Sequence, residues 1–123
     1  MSPPTTHFHS FGKVTQMGYM PTRLSGDAVS YDLRSAYDVL IEPYDRDTIT
    51  TDIWVSLPHG CIGVVTMCND WTEYTMLDVV CRVIDIPHTP NLGIIIWNHS
   101  AYLLEICRGS RIGQLVFHKV HSV

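Results

Sequence analysis

Basic side chains are scarce. Eight Lys and Arg face twelve Asp and Glu in 123 residues, leaving a net charge of −4 with histidine neutral. The chain therefore lacks the electrostatic footprint of a nucleic-acid binder. An anionic small molecule is not excluded, because a phosphate site needs local donors rather than a basic protein. Long apolar runs are missing too. None approaches the roughly 18 residues of a membrane span, and the opening stretch MSPPTTHFHS has neither the basic start nor the apolar segment of a secretory leader. These absences predict an intracellular protein of the cytoplasm or nucleus, with neither nucleic acid nor membrane as a partner. The four cysteines, Cys61, Cys68, Cys81 and Cys107, form no CxxC pair. They are expected to be free thiols in or near the core. Seven histidines show no zinc spacing either. His118 and His121, three apart at the end of a strand, would point to opposite faces.

What is present is apolar and evenly punctuated. Hydrophobic residues make up 46% of the chain and charged residues 16%, too apolar a balance for disorder. Residues 1–12 read as a loose N-terminal arm, and 13–123 as one domain. Short runs recur between Gly, Pro, Asn and Asp turns: Val39–Ile41, Thr48–Leu57, Cys61–Thr66, Leu77–Ile84, Gly93–Trp97, Tyr102–Cys107 and Ile112–Val120. Ile53, Val55 and Leu57 alternate with Asp52, Trp54 and Ser56, the period of a strand with one buried face. Gly93–Trp97 is β-branched and reads as buried on both sides, with Trp97 in the core. One short helix is conceivable over Asp70–Leu77, though Trp71, Thr72, Tyr74 and Thr75 are weak helix formers. Asn98-His99-Ser100 is a glycosylation sequon by pattern and a turn by context. The sum predicts an all-β sandwich, jelly roll or barrel.

Three stretches go further. Tyr31-Asp32-Leu33-Arg34-Ser35-Ala36 resembles the pattern G-Y-D-L-x-S-A. Thr51-Asp52-Ile53 through Leu57-Pro58-His59-Gly60-Cys61-Ile62-Gly63 resembles a strand and turn leading into a second motif. Arg108-Gly109-Ser110-Arg111-Ile112-Gly113-Gln114-Leu115 resembles G-D-R-I-A-Q-L, and Val83-Ile84-Asp85 stands where a third motif reads G-V-I-D. In this order and spacing the chain resembles the trimeric dUTPase family. That resemblance implies a jelly-roll-like β-barrel assembled as a homotrimer, with active sites at subunit interfaces. It also implies Mg²⁺-dependent hydrolysis of dUTP to dUMP and pyrophosphate. By the same resemblance, Asp85 occupies the position of the water-activating base and Asp32 lies near the metal's waters. Gln114 and Arg111 belong to the phosphate-binding motif. The plain alternative is that Asp32 and Asp85 are turn residues held by backbone hydrogen bonds.

The departures from the family concentrate at the chemistry. Where its second motif has G-R-V-A-P-R-S-G, this chain has Gly63-Val64-Val65-Thr66-Met67-Cys68-Asn69-Asp70. Both arginines are gone, with charge-assisted bonds of about 1.5–3 kcal/mol each. Asn69 stands for the phosphate-binding serine. Asp70 sets a negative charge beside a triphosphate, a repulsion of about 1 kcal/mol in water and more in a drier site. Arg82 replaces a glycine where the family packs uracil, and a long side chain there can fill the base pocket. His88 replaces the tyrosine that packs on the deoxyribose. Ser110 replaces the fourth-motif aspartate, and no Gly-rich tail follows.

The resulting expectation is a dUTPase-fold homotrimer that is non-catalytic and works as a binding or regulatory protein with an unidentified protein partner. It is similar in kind to the degenerate dUTPase-like early proteins of DNA viruses such as adenoviruses, acting in a virus-infected host cell. The alternative is a divergent, active dUTP diphosphatase that uses Mg²⁺ and Asp85 as base. A structural β-barrel module is a third reading.

Overall fold

The computed structural model describes residues 10–23, 30–67 and 76–120. Within them lie thirteen strands: β1 (Phe11–Lys13), β2 (Thr22–Arg23), β3 (Ser30–Arg34), β4 (Val39–Ile41), β5 (Arg46–Thr50), β6 (Ile53–Ser56), β7 (Cys61–Thr66), β8 (Leu77–Val79), β9 (Arg82–Ile84), β10 (His88–Thr89), β11 (Gly93–Asn98), β12 (Leu104–Ile106) and β13 (Arg111–Lys119). The all-β expectation holds, with no helix among the described residues. Most of the candidate helix, residues 70–75, lies outside them, and Leu77 opens β8. Phe11 and Gly12, read from sequence as part of the arm, are in β1.

The strands form antiparallel sheets in the orders β2-β3-β13-β7-β9, β5-β11-β8, β1-β6-β10 and β12-β4. β13 is the spine of the largest sheet, pairing with β3 on one side and β7 on the other. Inward residues of the facing strands meet in one core. Leu33, Ile41, Ile49, Val55, Ile94, Ile96, Ile112 and Leu115 are each no more than 1% exposed, and burying such a side chain contributes about 1.5–3 kcal/mol.

Two runs that read as single strands are broken at corners. Thr48–Leu57 divides at Asp52. β5 pairs with β11, whereas β6 pairs with β1 and β10 in another sheet. Asp52 takes φ 51° and is buried, so it belongs to the corner and not to the outer face of a strand. Asp tolerates this left-handed conformation better than most residues. Leu77–Ile84 divides at Val80-Cys81, where β8 goes to β11 and β9 to β7. Strands that switch sheets are how orthogonal packings turn corners. Sequence periodicity averages over such a break.

Three further expectations change. β11 is not buried on both sides: Ile94, Ile96 and Asn98 are buried, while Gly93, Ile95 and Trp97 are half-buried. Trp97 lies under Arg46, 5.5 Å from its ring centroid, and stacks on His99 at 6.0 Å. Of the described cysteines, Cys61 is half-buried, and Cys81 and Cys107 are exposed. Asn98 is fully buried. Its Nδ2 donates to the carbonyls of Ile41, Glu42 and Tyr102, and its Oδ1 accepts from Ser100. The sequon is a structural turn whose amide has no room for a glycan.

Candidate functional site

Pairing across the largest sheet sets Asp32 of β3 opposite Gln114 of β13, and Gln114 opposite Thr66 of β7. The register between β3 and β13 slips between Arg111 and Gly113. This bulge leaves Ile112 without a partner and fully buried. Bulges re-aim side chains, and here Arg111 Nη1 comes within 3.4 Å of Asp32 Oδ2. The turn before β13 is held from the same strand: Arg34 Nη1 donates to the Gly109 carbonyl at 2.7 Å, and Ser35 and Ser110 bond through their backbones. Gly109 takes φ 86°, a conformation open to glycine at no steric cost. Three candidates named from sequence, Asp32, Arg111 and Gln114, are thus brought together.

Asp32 is 5% exposed, and its Oδ1 has no hydrogen-bond partner. A buried carboxylate oxygen left unpaired disfavours folding. Such a hard oxygen is the donor type that Mg²⁺ or its bound water takes. No cluster of three or more His, Cys, Asp or Glu occurs among the described residues. Asp32 can thus contribute one oxygen to a Mg²⁺ ion or its water shell, with the other ligands coming from elsewhere.

Asp85, Arg82 and His88 lie elsewhere. Asp85 is exposed in the turn after β9. From β3 to β9 the sheet counts three strand steps, roughly 14 Å at ordinary strand spacing. Within one chain the two aspartates do not meet. The 82–93 segment is not a paired hairpin: β9 joins β7, β10 joins β6 and β11 joins β5 and β8. Arg82 reaches across its mouth, with Nη1 donating to the Gly93 carbonyl at 3.2 Å. His88 does not face that mouth. Its Nδ1 lies 2.9 Å from Ser56 Oγ, and its ring is 5.9 Å from that of Trp54. Asn69 and Asp70 fall outside the described residues, as do Cys68, Trp71 and His121.

Asp52 was missed. Read from the sequence as an outward strand residue, it is the most densely hydrogen-bonded carboxylate described. Thr15 Oγ1 donates to its Oδ2 at 2.7 Å, and the Tyr37 hydroxyl donates to the same oxygen. Asn91 Nδ2 and Thr50 Oγ1 donate to Oδ1 at 2.9 and 3.1 Å. Burial pushes its pKa up, but these donors outweigh burial and bring it down to about 2. The same bond raises the pKa of Tyr37. Asp52 thereby ties the N-terminal segment, the β3–β4 turn and Asn91 of the 82–93 segment to one corner. The available signal was Thr50-Thr51-Asp52, three short polar residues inside an apolar run.

The family profile described as dUTPase matches residues 16–123. The chain is 36% identical over 111 residues to the deoxyuridine triphosphate nucleotidohydrolase of Variola virus, covering 90% of this chain and 75% of that protein. It is 34% identical over 110 residues to the human mitochondrial enzyme of the same name, covering 89% of this chain but only 44% of the human protein. Among solved structures, the dUTPase of Staphylococcus bacteriophage 80alpha with dUpNHpp superposes with a TM-score of 0.83 at 26% identity, covering 92% of this chain and 83% of that one.

Proposed function

The chain belongs to the dUTPase family, and from that premise we propose that it works on the family scaffold as a binding or regulatory protein, its base pocket occupied by its own Arg82. One observation carries this reading: the Arg82 guanidinium spans the mouth of the 82–93 segment and donates to the Gly93 carbonyl. A planar hydrogen-bonding group already sits at the segment that the resemblance assigns to uracil. The sequence of the second motif, with Val64, Cys68 and Asp70 in place of two arginines and a glycine, weakens phosphate binding in the same direction. Assembly is a homotrimer. β9, which leads to Asp85, stands three strand steps from β3, roughly 14 Å at ordinary strand spacing, so an Asp85 from a neighbouring subunit completes any site built on Asp32, Arg111 and Gln114. The protein acts inside cells, in the cytoplasm or nucleus, in the manner of the viral dUTPase-like proteins, and its partner is another protein.

The comparisons favour a second reading, a divergent dUTP diphosphatase, because the relatives it matches carry that activity in their names. Here Asp85 would take the proton of the attacking water. Arg111 and Gln114 would hold phosphate oxygens, and Asp32 would accept from the water shell of Mg²⁺, which supplies charge neutralisation when bound. In this reading Arg82 swings out to admit the base.

Pyrophosphate release from dUTP and Mg²⁺ at high protein concentration, in the unmodified chain and in Asp85→Ala, decides between them. Equal release in both supports the binding protein. Release that disappears in the variant supports the diphosphatase and overturns the first reading.

A further inference from the structure

The outer face of the β1-β6-β10 sheet carries a cleft of about 430 Å³ lined by Lys13, Val14, Trp54, Ser56, His88 and Pro90. Its floor is an indole laid flat by a missing side chain. Gly12 is directly opposite Trp54 in the β1–β6 register, and a Cβ on Gly12 would come within 2.6 Å of the ring. The Trp54 ring therefore lies across β1 instead of standing off the sheet. Ser56 and His88 are opposite one another in the β6–β10 register. The Ser56 hydroxyl lies 2.9 Å from His88 Nδ1, and in the tautomer in which the hydroxyl donates, Nε2 carries the proton and is a donor to the cleft. Lys13 adds an exposed ammonium. Among the described residues the lining holds an ammonium, an imidazole, a hydroxyl and a flat aromatic, and no carboxylate.

We propose that this cleft is a second binding site, for a nucleoside monophosphate, with the base on Trp54 and the phosphate between Lys13 and His88. The Lys13 ammonium and the His88 ring favour an oxyanion, and no acidic side chain among the described lining residues repels it. Stacking of a base on an aromatic side chain is sequence-tolerant and favourable. The volume suits one ring system with one phosphate. The cleft borrows His88 and Pro90 from the 82–93 segment but is built on its other side, because His88 turns toward Ser56 while Arg82 turns toward Gly93. The proposal is therefore independent of whether dUTP is hydrolysed.

The test is a titration of the isotope-labelled full chain with adenosine monophosphate, adenosine and inorganic phosphate, followed at the tryptophan indole and histidine ring signals. Adenosine monophosphate is expected to shift Trp54 and His88 and leave Trp97 in place. Adenosine and phosphate alone should each bind at least about tenfold more weakly, the factor that one lost charge-assisted contact represents. Lys13→Ala, at an exposed position and with unchanged thermal unfolding, should weaken the nucleotide by about tenfold. Shifts that bypass Trp54 and His88, or full affinity in Lys13→Ala, overturn the proposal. Binding lost in Asp85→Ala assigns the nucleotide to the mouth closed by Arg82 and Gly93 and overturns it as well.

Discussion

Asp52 and Asp85 are both aspartates at the end of a strand, and the molecule treats them oppositely. Asp52 is 4% exposed, sits at φ 51° and is reached by four donors from four parts of the chain. Asp85 is exposed in the turn after β9. The family motif picks out Asp85, whereas the hydrogen-bond network picks out Asp52. The contrast separates two tasks that one residue type performs here, holding a corner and offering a carboxylate to a ligand. The regions are joined, because Asn91 of the 82–93 segment donates to Asp52. The corner therefore fixes one end of the segment whose turn carries Asp85.

The largest expected effect breaks the corner. Asp52→Ala leaves the Thr15, Tyr37 and Asn91 donors without their acceptor and is expected to destabilise the fold by about 3 kcal/mol. That corresponds to a fall of about 10 °C in Tm for a domain of this size. Asp85→Ala should stay within about 0.5 kcal/mol of the unmodified chain. Thermal unfolding of both variants measures the contrast directly, and equal losses would abolish the distinction.

Acid sharpens the same comparison. The Asp52 carboxyl titrates at about 2 in the folded chain against an ordinary 3.8. A lowered folded pKa means that its stabilisation is complete above about pH 4 and is lost as pH falls toward 2. The contribution is on the order of 1–2 kcal/mol after allowance for solvent screening. Urea midpoints between pH 5 and pH 2.5 should fall more steeply in the unmodified chain than in Asp52→Asn. Parallel curves would mean that the corner carboxylate is not the group being protonated.

Arg82→Gly moves to the other region and has a smaller effect on stability. It removes one exposed hydrogen bond and loosens β9, for about 1 kcal/mol in all. Its functional effect runs the other way: an opened 82–93 mouth should bind a non-hydrolysable dUTP analogue at least about tenfold better than the unmodified chain. Calorimetry with the analogue reads this, and unchanged affinity would remove Arg82 as the group that fills the base pocket.

The sequence made the strands and the ordered motifs legible because both are local. Val39–Ile41, Cys61–Thr66 and the stretch around Ile112–Val120 each fold as read. The two corners were not legible. A sheet switch at Asp52 or at Val80-Cys81 leaves the hydrophobic period nearly intact while changing the partner strand, and partners are set by tertiary contacts. Motif matching paired Arg82 and His88 as neighbours in one pocket. The structure sends their side chains to different carbonyl and hydroxyl partners, on Gly93 and Ser56. Asp32 and the pair Arg111 and Gln114 come from two separate motifs, and the pairing of β3 with β13 sets all three side by side.

The smallest expected effect is also the one whose sign matters most. Asp32 keeps a buried oxygen without a partner and sits beside the half-exposed Arg111 at 3.4 Å. A residue retained for stability alone would have both oxygens satisfied, as Asp52 does. Asp32→Asn removes the buried charge and keeps the shape. It should therefore leave stability unchanged or raise it by up to about 1 kcal/mol, whereas Asp52→Asn lowers it. Denaturant unfolding of the two asparagine variants side by side gives the answer. A gain at Asp32 would mark it as a carboxylate kept, against the interest of the fold, for a ligand. A loss comparable to that at Asp52 would mean that Arg111 and the surrounding sheet already satisfy it, and that the row across β3 and β13 is structural.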